Sequence, residues 1–138
     1  MKTHKDSEKT VKVIAGKFNS TEGPVNKHNV HPLYFDVVLN KDKIFDFNLP
    51  ETHNSFIYLI NGEIKVGEKK HEKITDSKLV LLTKGLKLKV KSLIKSNFLL
   101  ISGKPIGEKI ARGGPFVMNT KAEILEAIND YHNGTFVK

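Results

Sequence analysis

Apolar and polar residues alternate with a period of two through most of the chain, the spacing of strands with one buried face. Leu33, Phe35, Val37 and Leu39 fall on one side of such a strand, and Tyr34, Asp36 and Val38 on the other. Phe45, Phe47 and Leu49 repeat the pattern with Asp46 and Asn48 pointing outward. Phe56 to Ile60 is a continuous apolar run, expected of a central strand. Asn61-Gly62 has the composition of a two-residue primed turn, and Ile64 and Val66 then alternate with Glu63, Lys65 and Gly67, so a hairpin is expected here. Val11 to Ala15, Leu79 to Leu82, Leu86 to Val90 and Phe98 to Ile101 bring the series to about eight strands, the number of an antiparallel jelly roll or sandwich. Lys41-Asp42-Lys43 reads as a hairpin loop and residues 69–77 as a polar loop. Residues 1–10, rich in Lys, Thr and acidic groups, are expected as a flexible tail, with residues 11–138 forming one domain.

The end of the chain changes register. Gly113-Gly114-Pro115 makes a turn, Phe116, Val117 and Met118 supply apolar anchors, and Thr120 with Glu123 forms a capping box that opens a helix. Ile124, Leu125, Ile128 and Tyr131 are expected on one helical face, and Asn133-Gly134 supplies the left-handed residue that ends it. The run Gly-Pro-Phe-Val-Met-Asn-Thr at 114–120, followed by a short helix ending Asp130-Tyr131-His132-Asn133-Gly134, resembles the C-terminus of the pirin family. Val11 to Asn19 with Gly23-Pro24, and Leu49 to Asn54 continuing through Tyr58 to Gly62, resemble the entry strand and central hairpin of the pirin C-terminal domain. The likeness runs from about Val11 onward. It implies an all-β, cupin-type jelly-roll β-barrel with one short C-terminal α-helix. It also implies that the half of the family carrying the metal, iron or another divalent transition metal held by histidines and a glutamate, is not represented in this chain.

Composition narrows the classes of function. There is no cysteine, so disulfides, thiol catalysis and cysteine metal sites are excluded. No apolar run is long enough to span a bilayer and the N-terminus is charged, so a cytoplasmic protein without a membrane partner is expected. The net charge of +8 comes almost wholly from lysine, since Arg112 is the sole arginine. Specific nucleic-acid binding is not expected, because forked guanidinium groups and aromatic platforms for bases are not evident. Lys84, Lys87, Lys89 and Lys91 alternate with Leu86, Leu88 and Val90; lysines solvating an exposed or edge strand are preferred here over an anion-binding patch.

The resemblance makes metal binding the decisive question. Setting the last glycine of the first cupin motif on Gly62 puts Ser55 at the glutamate position and places the histidine positions near Leu49 and Glu51, or Asn48 and Pro50. Setting the second motif on Gly85 puts Leu88 where histidine belongs and Ser92 where asparagine belongs. No metal and no cofactor are therefore expected in this chain. His28 and His31 have a His-x2-His spacing but flank Pro32, where neither helix nor strand fixes both rings. His53 matches a histidine of pirin C-terminal domains that is structural, and His4, His71 and His132 read as solvent-exposed. No nucleophile elbow or phosphate-binding loop is present.

Two classes of function remain. The first is a non-catalytic structural or interaction half of a split or truncated bicupin, partnered by a separately encoded N-terminal pirin half or by a second copy, with Pro115, Phe116, Val117 and Met118 as contacts. The second is a small-molecule-binding cupin, or a quercetin 2,3-dioxygenase-like subunit whose metal comes from a partner chain. For that class, Tyr34, His53, Tyr58 and Arg112 are expected around the barrel mouth.

Overall fold

The computed structural model describes residues 2–25, 29–67, 72–75 and 77–137, which form two compact units, Met1–Pro105 and Ile106–Lys138. The first contains β1 (Lys2–Lys5), β2 (Lys9–Ala15), β3 (Lys17–Phe18), β4 (Thr21–Glu22), β5 (Leu33–Leu39), β6 (Ile44–Asn48), β7 (Asn54–Asn61), β8 (Glu63–Val66), β9 (Glu72–Thr75), β10 (Lys78–Leu81), β11 (Lys87–Ser92) and β12 (Ser96–Gly103). Ten of these make two sheets, in the orders β1-β2-β5-β12-β7-β10 and β6-β11-β8-β9, and β3 pairs with β4. All the pairings of these strands are antiparallel. The result is a jelly-roll sandwich of two facing sheets.

Its core is where the alternation places it. Val11, Val13, Phe35, Val37, Leu39, Ile57, Leu59, Phe98 and Leu100 from the larger sheet meet Phe45, Ile64, Leu88 and Val90 from the smaller, all nearly inaccessible to water. Five phenylalanines lock this interior. Phe18 stacks on Phe45 at 5.6 Å between ring centroids, Phe35 meets Phe47 edge-on at 5.0 Å, and Phe45 meets Phe98 edge-on at 5.6 Å. Such contacts add to the burial term and fix one packing arrangement.

The expected hairpin over 56–66 does not form. β7 lies in the larger sheet and β8 in the smaller, so Asn61-Gly62 is a corner at which the chain changes sheets. Gly62 has φ +103, and a Cβ there would collide with Ser96, so only glycine fits. The Lys41-Asp42-Lys43 loop is a second corner of the same kind, joining β5 to β6 across the sandwich. Ser92 and Ser96, both fully buried, supply the hydrogen bonds these corners lack. The Ser92 hydroxyl donates to the Asn40 carbonyl and accepts from Lys43 N at 3.2 Å. The Ser96 hydroxyl accepts from Glu63 N at 3.1 Å and lies 2.8 Å from the Ile94 carbonyl, to which it donates.

Two further segments differ from expectation. Lys2–Lys5 is strand β1, paired along β2 from Lys2↔Val13 to Lys5↔Thr10. Its turn is closed by Asp6, whose Oδ1 accepts from Glu8 N at 2.7 Å and Lys9 N at 2.8 Å. Those two bonds stabilise the carboxylate and hold its pKa down at about 2. The polar composition that implied a tail is that of an edge strand exposed to water. Within the polar stretch 69–77, Glu72–Thr75 forms β9 against β8, with Ile74 buried; His71 lies outside the described residues.

In the second unit, β13 (Ala111–Gly113) and β14 (Phe116–Met118) form a hairpin beside α1 (Lys121–His132). The capping box is present: Thr120 Oγ1 accepts from Glu123 N at 3.2 Å, and Glu123 Oε2 accepts from Thr120 N at 2.7 Å. Gly134, at φ +70, ends the helix, with Thr135 N bonded to the Asp130 carbonyl at 2.9 Å. The buried face is carried by Ile124 and Ala127, while Leu125 is exposed. Ile124 lies where a Cβ on Gly113 would be, so the hairpin and helix touch backbone to side chain.

The corner geometry gives a direct expectation. Ser92→Ala removes the hydroxyl that reinforces the corner's own 3.2 Å bond from Lys43 N to the Asn40 carbonyl, and is expected to cost about 1 kcal/mol. Gly62→Ala adds backbone strain to a clash and is expected to cost at least about 2 kcal/mol. Urea unfolding followed by circular dichroism measures both.

Candidate functional site

The interior does not offer a ligand site at the cupin-motif positions. Leu88 is buried in the core cluster, Ser92 is committed to the 40–43 corner, and the Ser55 hydroxyl donates to Ser102 Oγ at 2.8 Å. These residues do not fit a metal, since alkyl and hydroxyl groups replace imidazole and carboxylate. Among the described residues no group of three or more His, Asp or Glu side chains could hold one. His28 lies outside the described residues, and His31 is exposed at φ +44 ahead of Pro32.

Among the described residues, His53 is the one buried histidine. Its backbone N–H bonds to the Pro50 carbonyl at 3.0 Å, and its Nδ1 lies 3.0 Å from Ser102 Oγ, which extends the hydrogen bond from Ser55. Burial, and then the charges of His31 and Lys104, push its pKa below the ordinary imidazole value. A neutral ring bonded to Ser102, which in turn accepts from Ser55, ties the start of β7 to the end of β12. That is a positioning role within the fold.

Of the four residues expected around one mouth, the three in the first unit do not share one face. Tyr34 pairs with Ile101 and alternates with buried Phe35, and Tyr58 pairs with Leu99 between buried Ile57 and Leu59. Both tyrosines therefore lie on the outer face of the six-stranded sheet, whereas His53 packs with inward-facing Ser102. Arg112 belongs to the second unit, on β13 opposite Val117.

The outer face holding the tyrosines is apolar over four strands. One row runs Tyr34, Ile101, Phe56, Leu81, and the next runs Leu99, Tyr58, Leu79, read directly from the register of β5, β12, β7 and β10. Leu81 is 77% exposed and Leu79 57%. Lys12 and Asp36, 3.3 Å apart, close the second row with an ion pair. The sequence held a signal for this face that the alternation masked: an unbroken apolar run such as 56–60 belongs to a strand covered on both sides.

In the second unit, Phe116 is engaged internally, its ring 5.1 Å from Phe136 and 6.1 Å from Tyr131. Pro115 is exposed at the hairpin tip. Val117, 60% exposed, and Met118 line an open hollow of about 540 Å³ with Ile106 and Ile110. Of the expected contact residues, Pro115 and Val117 face water.

Two facing antiparallel sheets with this connectivity define a cupin domain. The chain superposes on a quercetin 2,3-dioxygenase from Acinetobacter baumannii with a TM-score of 0.82 at 29% identity, covering 96% of this chain and 45% of that one. The Pirin C-terminal cupin domain is matched over residues 34–137, and the chain belongs to the pirin family through that domain. It is 32% identical over 133 residues to a pirin-like protein of Caulobacter vibrioides and 35% identical over 127 residues to pirin of Rattus norvegicus. It covers 96% and 90% of itself in these alignments but 47% and 43% of the relatives, so it spans about half their length. Among the described residues no helix is long and apolar enough to cross a membrane.

The buried imidazole sets a pH dependence. The unfolded ring protonates near the ordinary value of about 6.5, whereas the folded ring resists protonation. Its stabilising contribution is therefore complete above that value and is lost as pH falls through it toward the lower folded pKa. The urea midpoint is expected to drop between pH 7.5 and 5 in the native protein and to drop less in His53→Gln, as measured by fluorescence-detected or circular-dichroism titrations at matched ionic strength.

Proposed function

We propose that this chain acts as a non-catalytic interaction half of a two-cupin assembly, docking in the cytoplasm onto a separate cupin half that carries the metal. The observation that carries the proposal is the apolar outer face of the six-stranded sheet, with Leu79 and Leu81 more than half exposed beside Tyr58 and Phe56. A domain whose relatives are about twice its length is expected to keep the surface that its other half covers. The filled interior, with Leu88 and Ser92 at the motif positions, supports a role that needs no metal of its own. Self-association through the same face is the competing assembly, and the +8 charge of each copy opposes it at low salt.

A second reading, a dioxygenase-like subunit, draws on the likeness to the Acinetobacter enzyme. Here the metal again resides on the partner, and this chain contributes shape and exclusion of water.

Co-expression with the first half of a pirin, followed by size-exclusion light scattering and elemental analysis, tests both readings. A one-to-one complex is expected, with the metal retained by the partner when the halves are separated. Leu79→Lys with Leu81→Lys is expected to weaken the complex by at least about 100-fold, because two buried leucines are lost and two charges are placed in the contact. The double variant is expected to keep the native unfolding temperature to within a few degrees, since both residues are exposed. A stoichiometric transition metal in the isolated chain, together with flavonol oxidation, overturns the first reading.

A further inference from the structure

We propose a second binding site, for a compact phosphate-bearing anion, on the outer face of the four-stranded sheet. β11 is central in that sheet, between β6 and β8, so its lysines are not those of an edge strand. Strand alternation buries Leu88 and Val90 and turns Lys87, Lys89 and Lys91 outward. Register adds lysines from the neighbouring strands. Lys91 lies directly opposite Lys65 on β8, and Lys65 directly opposite Lys73 on β9.

Three ammonium-bearing residues in one cross-strand row oppose the usual rule, because like charges directly opposite each other destabilise a sheet. Lys73 is compensated by Glu63 at 3.0 Å. Lys65, Lys89 and Lys91 form no ion pair among the described residues, even though Asp46 sits across from Lys89. These same three lysines, with Ile44 and Gly67, line a depression of about 160 Å³. Their stems emerge from adjacent positions on two strands, roughly 5–7 Å apart, a spacing from which three flexible chains can converge on one tetrahedral anion.

The chemistry selects phosphate over a nucleic-acid strand. Lysine grips a phosphate as a point charge without the planar fork that reads bases, and the depression contains no arginine and no aromatic platform. An anion seated there neutralises the Lys65–Lys91 opposition, so binding and sheet stability are coupled.

Isothermal titration with inorganic triphosphate at low salt, paired with thermal unfolding, tests the site. Saturable one-to-one binding and a rise in Tm are expected. Lys65→Gln with Lys91→Gln is expected to weaken binding by at least about 10-fold, because two charge-assisted contacts are lost. It is also expected to raise the Tm measured without anion, since the like-charge opposition is gone. Lys41→Gln with Lys121→Gln removes the same charge elsewhere and is expected to leave binding within about two-fold of the native chain. Equal weakening in both pairs, or no saturable binding, overturns the proposal. So does a single-stranded oligonucleotide that binds tighter than triphosphate and is insensitive to the Lys65 and Lys91 changes. None of these outcomes depends on the partner half.

Discussion

A chain that passes repeatedly between two sheets must turn its backbone at the rim of the core, and each turn leaves polar groups that neither ladder can satisfy. In this protein three such passages meet at one end of the sandwich, at residues 40–43, at Gly62 and at 93–95. The links between them are short. Asp42 N bonds to the Ser92 carbonyl at 3.1 Å, and Leu93 N to the Glu63 carbonyl at 2.8 Å. The hydroxyls of Ser92 and Ser96 satisfy the remaining groups from inside. A side chain without a hydrogen-bonding group at 96 would leave Glu63 N without its partner, one at 92 would leave the 40–43 corner only its backbone bonds, and larger side chains would force the sheets apart. The spacing of the sheets, and with it the phenylalanine packing between them, depends on these two small polar residues.

Filling the interior in this way moves the chemistry outward. The positions where a cupin relative would aim imidazole and carboxylate inward are taken by a leucine in the core and by serines that hold corners or strands. Among the described residues the one buried histidine, His53, is neutral and tied to Ser102. What remains available is surface: an apolar face on the larger sheet, a lysine face on the smaller, and an apolar hollow in the separate C-terminal unit. The two sheet faces are opposite in character because their outward rows differ, Tyr34, Ile101, Phe56 and Leu81 on one and Lys91, Lys65 and Lys73 on the other. We propose a different occupant for each, an apolar protein surface for one and an anion for the other.

Much of the fold was legible because its signals are local. Period-two alternation placed Phe35, Val37, Phe45 and Val90 inside, and Thr120 with Glu123 marked the start of the helix to the residue. Errors arose where a local signal has two tertiary uses. Asn61-Gly62 suits a hairpin turn and a sheet-changing corner equally, because both need a residue with positive φ. A polar segment such as Lys2–Lys5 suits a tail and an edge strand equally, because neither needs a run of apolar side chains, although His4 packs edge-on against Phe18 at 5.2 Å. The candidate site was legible only in part for a similar reason. That Tyr34 lies opposite the core side of its strand was readable, but the face it shares with Tyr58 depends on which strands lie beside β5 and β7.

By itself, then, the sequence determined the apolar core strands, the buried face of those that alternate, the capped terminal helix and the family. These follow from periodicity and from residues that act on their own neighbours. It also determined that ordinary metal ligands are missing at the motif positions, since that depends only on residue type. The tertiary structure alone decided which strands share a sheet, and therefore that the tyrosines join an apolar outer face and that Lys65 stands opposite Lys91. Pairing across a sheet joins residues dozens of positions apart, and no local property of the chain encodes that register.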